Sequence, residues 1–214
     1  MVPPMSDPVG AYLNRGHIEV ICGPMFSGKT EELIRRLRRA QIARMRVVVF
    51  KPKIDDRYDI AEVVSHSSAR IQSRPISHSS EIEPLLKREG GPVAVVGIDE
   101  AQFFDDGIVD VAERLADRGV RVVVAGLEQD YLGRAFGPMP HMLVVAESIT
   151  KQLAVCMVCG APAGKNQRVH KDAARFTKGS DQIMVGGGDS YEARCRRCYV
   201  AGIDTPSTPL QRDG

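Results

Sequence analysis

The chain has no tryptophan, and aromatic residues make up only 5% of its 214 residues. It also lacks an excess of either charge, because 29 Lys and Arg residues face 27 Asp and Glu residues and leave a formal net charge of +2. A balance this close creates no global attraction to nucleic acid or to an anionic membrane. The composition therefore indicates neither nucleic acid nor a membrane as the partner.

Long hydrophobic runs are absent as well, since none approaches the roughly 20 residues that a membrane-spanning helix needs. The stretch from Met1 to Asn14 contains three prolines and lacks the basic-then-apolar order of a secretion signal. We expect residues 1–15 to be disordered and residues 201–214 to form a flexible tail. A cytoplasmic protein is the resulting expectation.

A phosphate-binding motif stands directly after the apolar run Ile18–Cys22 and follows the pattern G-x-x-x-x-G-K-[ST]. Its two glycines permit a tight turn and close approach, so that backbone N–H groups converge on phosphate oxygens at a helix N-terminus. In this pattern Lys29 reaches the outer phosphates, and the Thr30 hydroxyl binds Mg²⁺. The sequence therefore predicts a nucleoside triphosphate site. The predicted loop consists of Gly23, Pro24, Met25, Phe26, Ser27, Gly28, Lys29 and Thr30.

Between residues 16 and 150 apolar strands alternate with helical stretches, which is typical of an α/β domain with a mainly parallel sheet and helices on both faces. The strands are predicted at 18–22, 47–50, 93–98, 122–125 and 143–146, and the helices at 29–44, 80–89 and 107–118. The segment 51–92 is otherwise irregular, and long irregular segments inside compact domains are usually either functional loops or mobile ones. From residue 151 to residue 200 we predict a second, small domain.

Two acids follow the apolar run that ends at Ile98. A strand that ends in an acid, downstream of a phosphate loop, places a carboxylate beside the metal at the carboxyl edge of the sheet. We therefore predict that Asp99 serves Mg²⁺, directly or through water, and that Glu100 is the general base. A base here serves an ATPase if it activates water and a kinase if it activates a substrate hydroxyl, and the spacing fits both.

Four of the five cysteines form two C-x-x-C pairs separated by 35 residues. Cys156, Cys159, Cys195 and Cys198 together offer four thiolates, which suit a closed, tetrahedral, structural Zn²⁺ site. Disulfides are disfavoured in a cytoplasmic protein. The loop between the pairs ends in a glycine run at 186–188, which fits either a hinge or backbone exposed for ligand binding.

Three separated motifs, GPMFSGKT, DEAQFF at 99–104 and GDSYEARCRRCY at 188–199, together closely resemble the thymidine kinases of the cellular, zinc-containing type. The similarity extends from Gly16 to Tyr199. It implies a RecA-like P-loop domain at 16–150 and a zinc-anchored lasso at 151–200 that closes over the nucleoside. It also implies transfer of the γ-phosphate of ATP to the 5′-hydroxyl of thymidine, with Mg-ATP as donor, structural zinc and a homotetramer.

The resemblance implies roles for further residues. Asp55, Arg57 and Gln102 match nucleotide-binding positions, and Arg57 would stabilise charge on the transferred group. Tyr191 matches a position near the sugar. The thymine pocket matches Met25, Phe103, Leu127, Tyr131 and Phe136. The lasso stretch that hydrogen-bonds the base matches Gln182, Ile183, Met184, Val185 and Gly186, which favours the ligand-binding interpretation of the glycine run.

Two positions depart from the pattern of that family. Tyr131 stands where many relatives have Phe, and Asn166 stands where the family usually has Thr.

Two other functions use the same motifs: a nucleic-acid-dependent ATPase with a zinc finger, and a non-catalytic nucleotide sensor. The near-neutral charge, and the dilution of basic residues by Gly and Asp in 160–197, argue against the ATPase.

Overall fold

The computed structural model describes residues 16–53, 62–64, 70–88, 90–170, 190–202 and 205–208. Four α-helices lie within these ranges: α1 (Lys29–Ile42), α2 (Ile82–Arg88), α3 (Gly107–Asp117) and α4 (Met139–Val145). The strands in the same ranges are β1 (His17–Cys22), β2 (Val47–Pro52), β3 (Glu62–Val64), β4 (Arg70–Gln72), β5 (Arg74–Ile76), β6 (Val95–Ile98), β7 (Arg121–Gly126), β8 (Ser148–Lys151), β9 (Ala154–Val155), β10 (Pro162–Ala163), β11 (Lys165–His170), β12 (Tyr191–Arg194) and β13 (Thr205–Pro206). No helix in these ranges has both the length and the apolar character needed to cross a membrane.

A six-stranded parallel sheet in the order β5-β2-β6-β7-β1-β8 forms the centre of the larger domain. Cys22 at the end of β1 pairs with Gly126 at the end of β7, and Ile98 at the end of β6 pairs with Val124. The carboxyl ends of these three strands therefore meet at one edge. That edge holds the phosphate loop, the Asp99–Glu100 pair and the segment after β7.

Helices cover both faces of this sheet, as the sequence predicts. On one face Leu33, Ile34 and Leu37 of α1 pack against alternate strand residues such as Ile21. On the other face α3 and α4 pack against the intervening residues, which include Val20. Because both faces are buried, the central strands are continuous apolar runs rather than alternating ones.

The predicted strand at 143–146 is wrong, because this apolar segment belongs to α4 and to the residue that ends it. Pro138 caps this short helix and Pro140 lies in its first turn, where proline has no hydrogen bond to lose. The fifth apolar run of the sequence is thus a helix. The actual strand is β8, an edge strand in which partly buried and exposed residues alternate, so it lacks a long apolar run.

The smaller domain consists of the hairpin β9–β10 and a sheet in the order β12-β11-β13. Part of the segment expected to be a flexible tail forms β13, which pairs in parallel with the end of β11. The Thr208 hydroxyl then donates to the Glu192 carboxylate at 2.8 Å. Residues 1–15, predicted to be disordered, lie outside the described residues.

A buried carboxylate on β1 links the sheet to α1. Glu19 receives hydrogen bonds from Arg36 at 2.8 Å and from Arg121, and His17 Nε2 lies 2.9 Å from its Oε1. Burial alone would raise the pKa of Glu19. The opposing effect is larger: hydrogen bonds from His17 and Arg121 and the charges of Arg121 and Arg36 lower the pKa to about 2. Ionised Glu19 is therefore stabilised by folding.

We expect Glu19→Gln to lower the free energy of unfolding at pH 7 by about 3 kcal/mol, because it removes the anion that the partly buried Arg36 and Arg121 share and leaves Arg36 paired with Glu32 alone. Since the folded pKa lies below the ordinary 4.5, this contribution is complete above pH 4.5 and decreases as the pH falls towards 2. Urea unfolding at several pH values measures it. An exposed control, Glu113→Gln, should change stability by less than about 0.5 kcal/mol. A Glu19→Gln deficit that stays constant down to pH 3 contradicts this assignment.

Candidate active site

The phosphate loop adopts the tight conformation that its glycines predict. Gly23, Phe26 and Gly28 all have positive φ, at 147°, 64° and 82°. A Cβ on Gly23 would lie 2.3 Å from the carbonyl oxygen of Gln152, so only glycine fits there. The hydroxyl of Ser27 donates to the Pro24 carbonyl at 2.8 Å and closes the turn. The loop ends at Gly28, which caps α1.

Lys29, the first residue of α1, turns back over the loop and donates to the Pro24 carbonyl at 2.7 Å. Burial lowers the pKa of Lys29, while the charges of Glu100, Asp99 and Glu128 oppose that effect. The ammonium group is thus held among carboxylates at the mouth of the loop. This is the position from which a lysine can bind phosphate oxygens.

Asp99 is buried at the end of β6, where its N–H donates to the Phe50 carbonyl at 3.0 Å. Both of its carboxylate oxygens lie 3.4 Å from the Thr30 hydroxyl. Burial and the neighbouring Glu100 charge raise the pKa of Asp99 to about 7, although Lys29 and Thr30 partly offset them. The negative charge of Asp99 is thus only partly compensated by its neighbours. Together with the hydroxyl oxygen of Thr30, its carboxylate forms a set of oxygen ligands that fits Mg²⁺.

Glu100 has a left-handed backbone conformation with φ 51°, which costs a non-glycine residue about 1 kcal/mol. Its carboxylate accepts a hydrogen bond from the side-chain amide of Gln102, which in turn accepts one from the Leu127 N–H at 2.9 Å. Gln102 is only 2% exposed. Glycines line its surroundings, since a Cβ on Gly137 would lie 2.2 Å from the Gln102 carbonyl oxygen. The amide of Gln102 therefore holds the carboxylate of Glu100 in place.

The aromatic residues predicted for the nucleoside pocket form two pairs. The rings of Phe103 and Phe136 meet edge to face, with centroids 5.4 Å apart. Those of Tyr131 and Tyr191 are 6.5 Å apart and bring β12 of the smaller domain to the segment after β7. The structure thus places these four residues pairwise and connects Leu127 to Glu100 through Gln102. Met25 lies in the phosphate loop and donates its N–H to Asn166.

Seven predicted site residues lie outside the described part of the chain. Two belong to the segment after β2 and five to the lasso stretch. They are Asp55, Arg57, Gln182, Ile183, Met184, Val185 and Gly186.

Sequence reasoning assigned no role to three buried residues at this site. The guanidinium of Arg168 lies 4.2 Å from the centre of the Tyr131 ring, and Asn166 lies two residues earlier on the same strand. Glu128 follows Leu127 and forms an ion pair with Lys151 at 3.1 Å. The one signal in the sequence was the departure at Asn166. Glu128 carries no local pattern that distinguishes it from a surface charge.

The four cysteine sulfurs lie within 4.8 Å of one another. Cys159 Sγ is 3.7 Å from Cys195 Sγ and 3.6 Å from Cys198 Sγ. A tetrahedron of Zn–S bonds of about 2.3 Å requires sulfur separations of about 3.8 Å. Since all five cysteines of the chain are free thiols, the cluster fits a structural zinc ion. The core of this domain is otherwise small, consisting mainly of alanines such as Ala154, Ala163 and Ala193.

Comparison with known proteins gives a consistent result. The family model for thymidine kinase matches residues 16–199. A thymidine kinase of Bdellovibrio bacteriovorus is 53% identical over 194 residues, which cover 90% of each chain. One from a Rhodothermus species is 52% identical and covers 92% of this chain and 87% of the relative. One from Porphyromonas gingivalis is 51% identical and covers 92% and 91%. This chain therefore belongs to the thymidine kinase family.

Proposed function

We propose that this protein transfers the γ-phosphate of ATP to the 5′-hydroxyl of thymidine and produces thymidine monophosphate. Family membership supports the overall reaction. The main structural support for this mechanism is the position of Glu100. This residue directly follows Asp99, and Gln102 holds its carboxylate through a hydrogen bond. A fixed carboxylate at this edge of the sheet, beyond the phosphate loop, is suited to accept a proton from a substrate hydroxyl.

The residues of the phosphate loop bind and neutralise the donor. The loop N–H groups and Lys29 hold the phosphate oxygens, and Thr30 and Asp99 would hold Mg²⁺, which would supply positive charge beside the transferred group. The 5′-oxygen forms a bond to the γ-phosphorus as the bond to the β,γ-bridging oxygen breaks and ADP leaves. Glu100 takes the proton of the 5′-hydroxyl. Catalysis then depends mainly on positioning and charge.

The aromatic pairs and the smaller domain form the nucleoside site in this proposal. Phe103, Phe136 and Tyr131 provide flat apolar surfaces for the base, together with the side chains of Met25 and Leu127. Tyr191 lies near the sugar. The stretch 182–186 contributes backbone hydrogen bonds to the base, and Asp55 and Arg57 flank the nucleotide. The domain 151–200 closes over the nucleoside and excludes water, which suppresses hydrolysis of ATP.

We further propose a cytoplasmic homotetramer that binds neither nucleic acid nor membranes. Four free thiols in a zinc-fitting cluster suit a reducing compartment. Exposed apolar side chains alternate along the segment from the edge strand β8 to the first cysteine pair, at Ile149, Leu153, Val155 and Met157. Such a strip is suited to contact a second copy of the chain. Sedimentation equilibrium tests the assembly.

Transfer of ³²P from γ-labelled ATP tests the reaction. We expect labelled thymidylate when thymidine is added and none when 5′-deoxythymidine, which lacks the acceptor hydroxyl, replaces it. 3′-Deoxythymidine should still be labelled, because its 5′-hydroxyl is intact. ATP hydrolysis stimulated by DNA without labelled thymidylate would instead favour the nucleic-acid-dependent ATPase, and nucleotide binding without either reaction would favour the sensor.

A further inference from the structure

The side-chain amide of Asn166 joins two main-chain groups that are far apart in sequence. Its Oδ1 accepts a hydrogen bond from the Met25 N–H at 2.7 Å, and its Nδ2 donates to the Gln129 carbonyl at 3.0 Å. Since one partner is a donor and the other an acceptor, only this orientation of the amide satisfies both. Asn166 is 4% exposed, so the two bonds are shielded from water.

The bond to Met25 fixes the backbone of the phosphate loop at its third residue. The Met25 N–H points to Asn166 and is therefore not among the loop donors directed at phosphate. The next residue, Phe26, has a positive φ of 64°, a conformation that a non-glycine side chain adopts only when its surroundings enforce it. Asn166 thus holds the loop at the residue that precedes its strained position.

The other end of the link lies on the strand that carries the nucleoside side of the site. Asn166 is in β11, opposite Ala193 of β12, and these two strands flank residues 171–189. Two residues further along the same face of β11, Arg168 covers the Tyr131 ring. A shift of β11 therefore displaces both the Tyr131 contact and the phosphate loop.

We propose that Asn166 is a positioning residue that couples thymidine binding to ATP binding. When the nucleoside binds against the smaller domain, the position of β11 becomes fixed. The Asn166–Met25 hydrogen bond then restricts the conformation of the phosphate loop as well. Linkage requires the reverse effect as well, so that ATP raises the affinity for thymidine by the same factor. A Thr at this position would place its hydroxyl oxygen one bond closer to its own backbone than Oδ1 is. This link is therefore a property of the Asn at this position.

Calorimetric titration of thymidine, with and without a saturating non-hydrolysable ATP analogue and Mg²⁺, tests the proposal. We expect the analogue to increase the thymidine affinity of the wild type at least about fivefold. In Asn166→Leu, which keeps the branched shape of the side chain but can neither donate nor accept a hydrogen bond, the factor should fall close to 1. Asn166→Thr should lower it similarly, and this variant should fold because Thr suits a strand.

Zinc content and melting temperature identify variants that fail to fold, and Asn166→Thr decides if the Leu variant does so. Lys165→Met is the matched control: it removes the neighbouring bond to the Gln129 side chain at 2.6 Å but leaves Met25 untouched, so the coupling should persist. Uncoupled ligands in the wild type overturn the proposal. The proposal is also overturned if the folded variants bind both ligands more weakly to the same extent and keep the wild-type increase in thymidine affinity on addition of the analogue. A protein that fails the phosphate-transfer assay refutes the proposed function, whereas binding of both ligands without coupling refutes only the role of Asn166.

Discussion

Glu100→Gln should reduce kcat for thymidine phosphorylation by about two to four orders of magnitude, the usual contribution of a general base. Glutamine preserves the shape of the side chain, and its oxygen still accepts the hydrogen bond that Gln102 gives to Glu100. The substitution therefore keeps this hydrogen bond but removes the proton acceptor, together with a charge that raises the pKa of Asp99. The Kd for ATP should stay within a few-fold, because the loop and Lys29 are intact. Single-turnover phosphate transfer and ATP titration measure the two quantities.

The matched control for this experiment is Asp99→Asn at the adjacent position. Asp99 faces the Thr30 hydroxyl at 3.4 Å and is assigned to the metal, so its loss should chiefly raise the Mg²⁺ concentration needed for activity. Raised Mg²⁺ should restore part of the activity of Asp99→Asn and none of that of Glu100→Gln. An unchanged turnover in Glu100→Gln excludes this residue as the base, and rescue by Mg²⁺ reassigns it to metal binding.

The sequence could predict the tight turn at 23–30 and the position of the two acids after β6 because short stretches of sequence set both. Eight consecutive residues set the turn, with Gly23 and Gly28 at the positions where the structure has positive φ. The acids follow β6 directly, and the parallel order of the sheet brings them to the loop. Covering helices on both faces also followed from the continuous apolar strands. These features need only the spacing of residues within each element.

The links between elements could not be predicted in this way. The Met25–Asn166 bond joins residues 141 positions apart, and a single sequence contains no signal for such a pair. The position of the Gln102 amide between Glu100 and Leu127 is likewise without a signal in the sequence. The segment 143–146 was misassigned because apolar residues in a short helix and in a buried strand look alike. Tertiary packing decides each of these cases.

Cys195→Ser should remove bound zinc and weaken thymidine binding at least about tenfold, with a smaller effect on ATP binding. The sulfurs of Cys159 and Cys195 are 3.7 Å apart, so a serine oxygen at one corner leaves an incomplete site for a metal that prefers thiolates. Because the buried core around the cysteines consists of a few small residues, the metal supplies much of the free energy that folds this domain. Metal analysis, thermal unfolding and ligand titration measure the three effects.

Cys22→Ala distinguishes the loss of zinc from the loss of any thiol. Cys22 is buried at the end of β1 and does not belong to the four-cysteine cluster, so this variant should keep its zinc and its affinity for thymidine. ATP binding should survive in Cys195→Ser, since the phosphate loop and Asp99 belong to the larger sheet, although without zinc β11 no longer fixes the loop through Asn166. Zinc-free wild-type protein with full activity would contradict the structural role. A Cys195→Ser variant that loses zinc but binds thymidine normally would show that the metal stabilises the domain without shaping the nucleoside site.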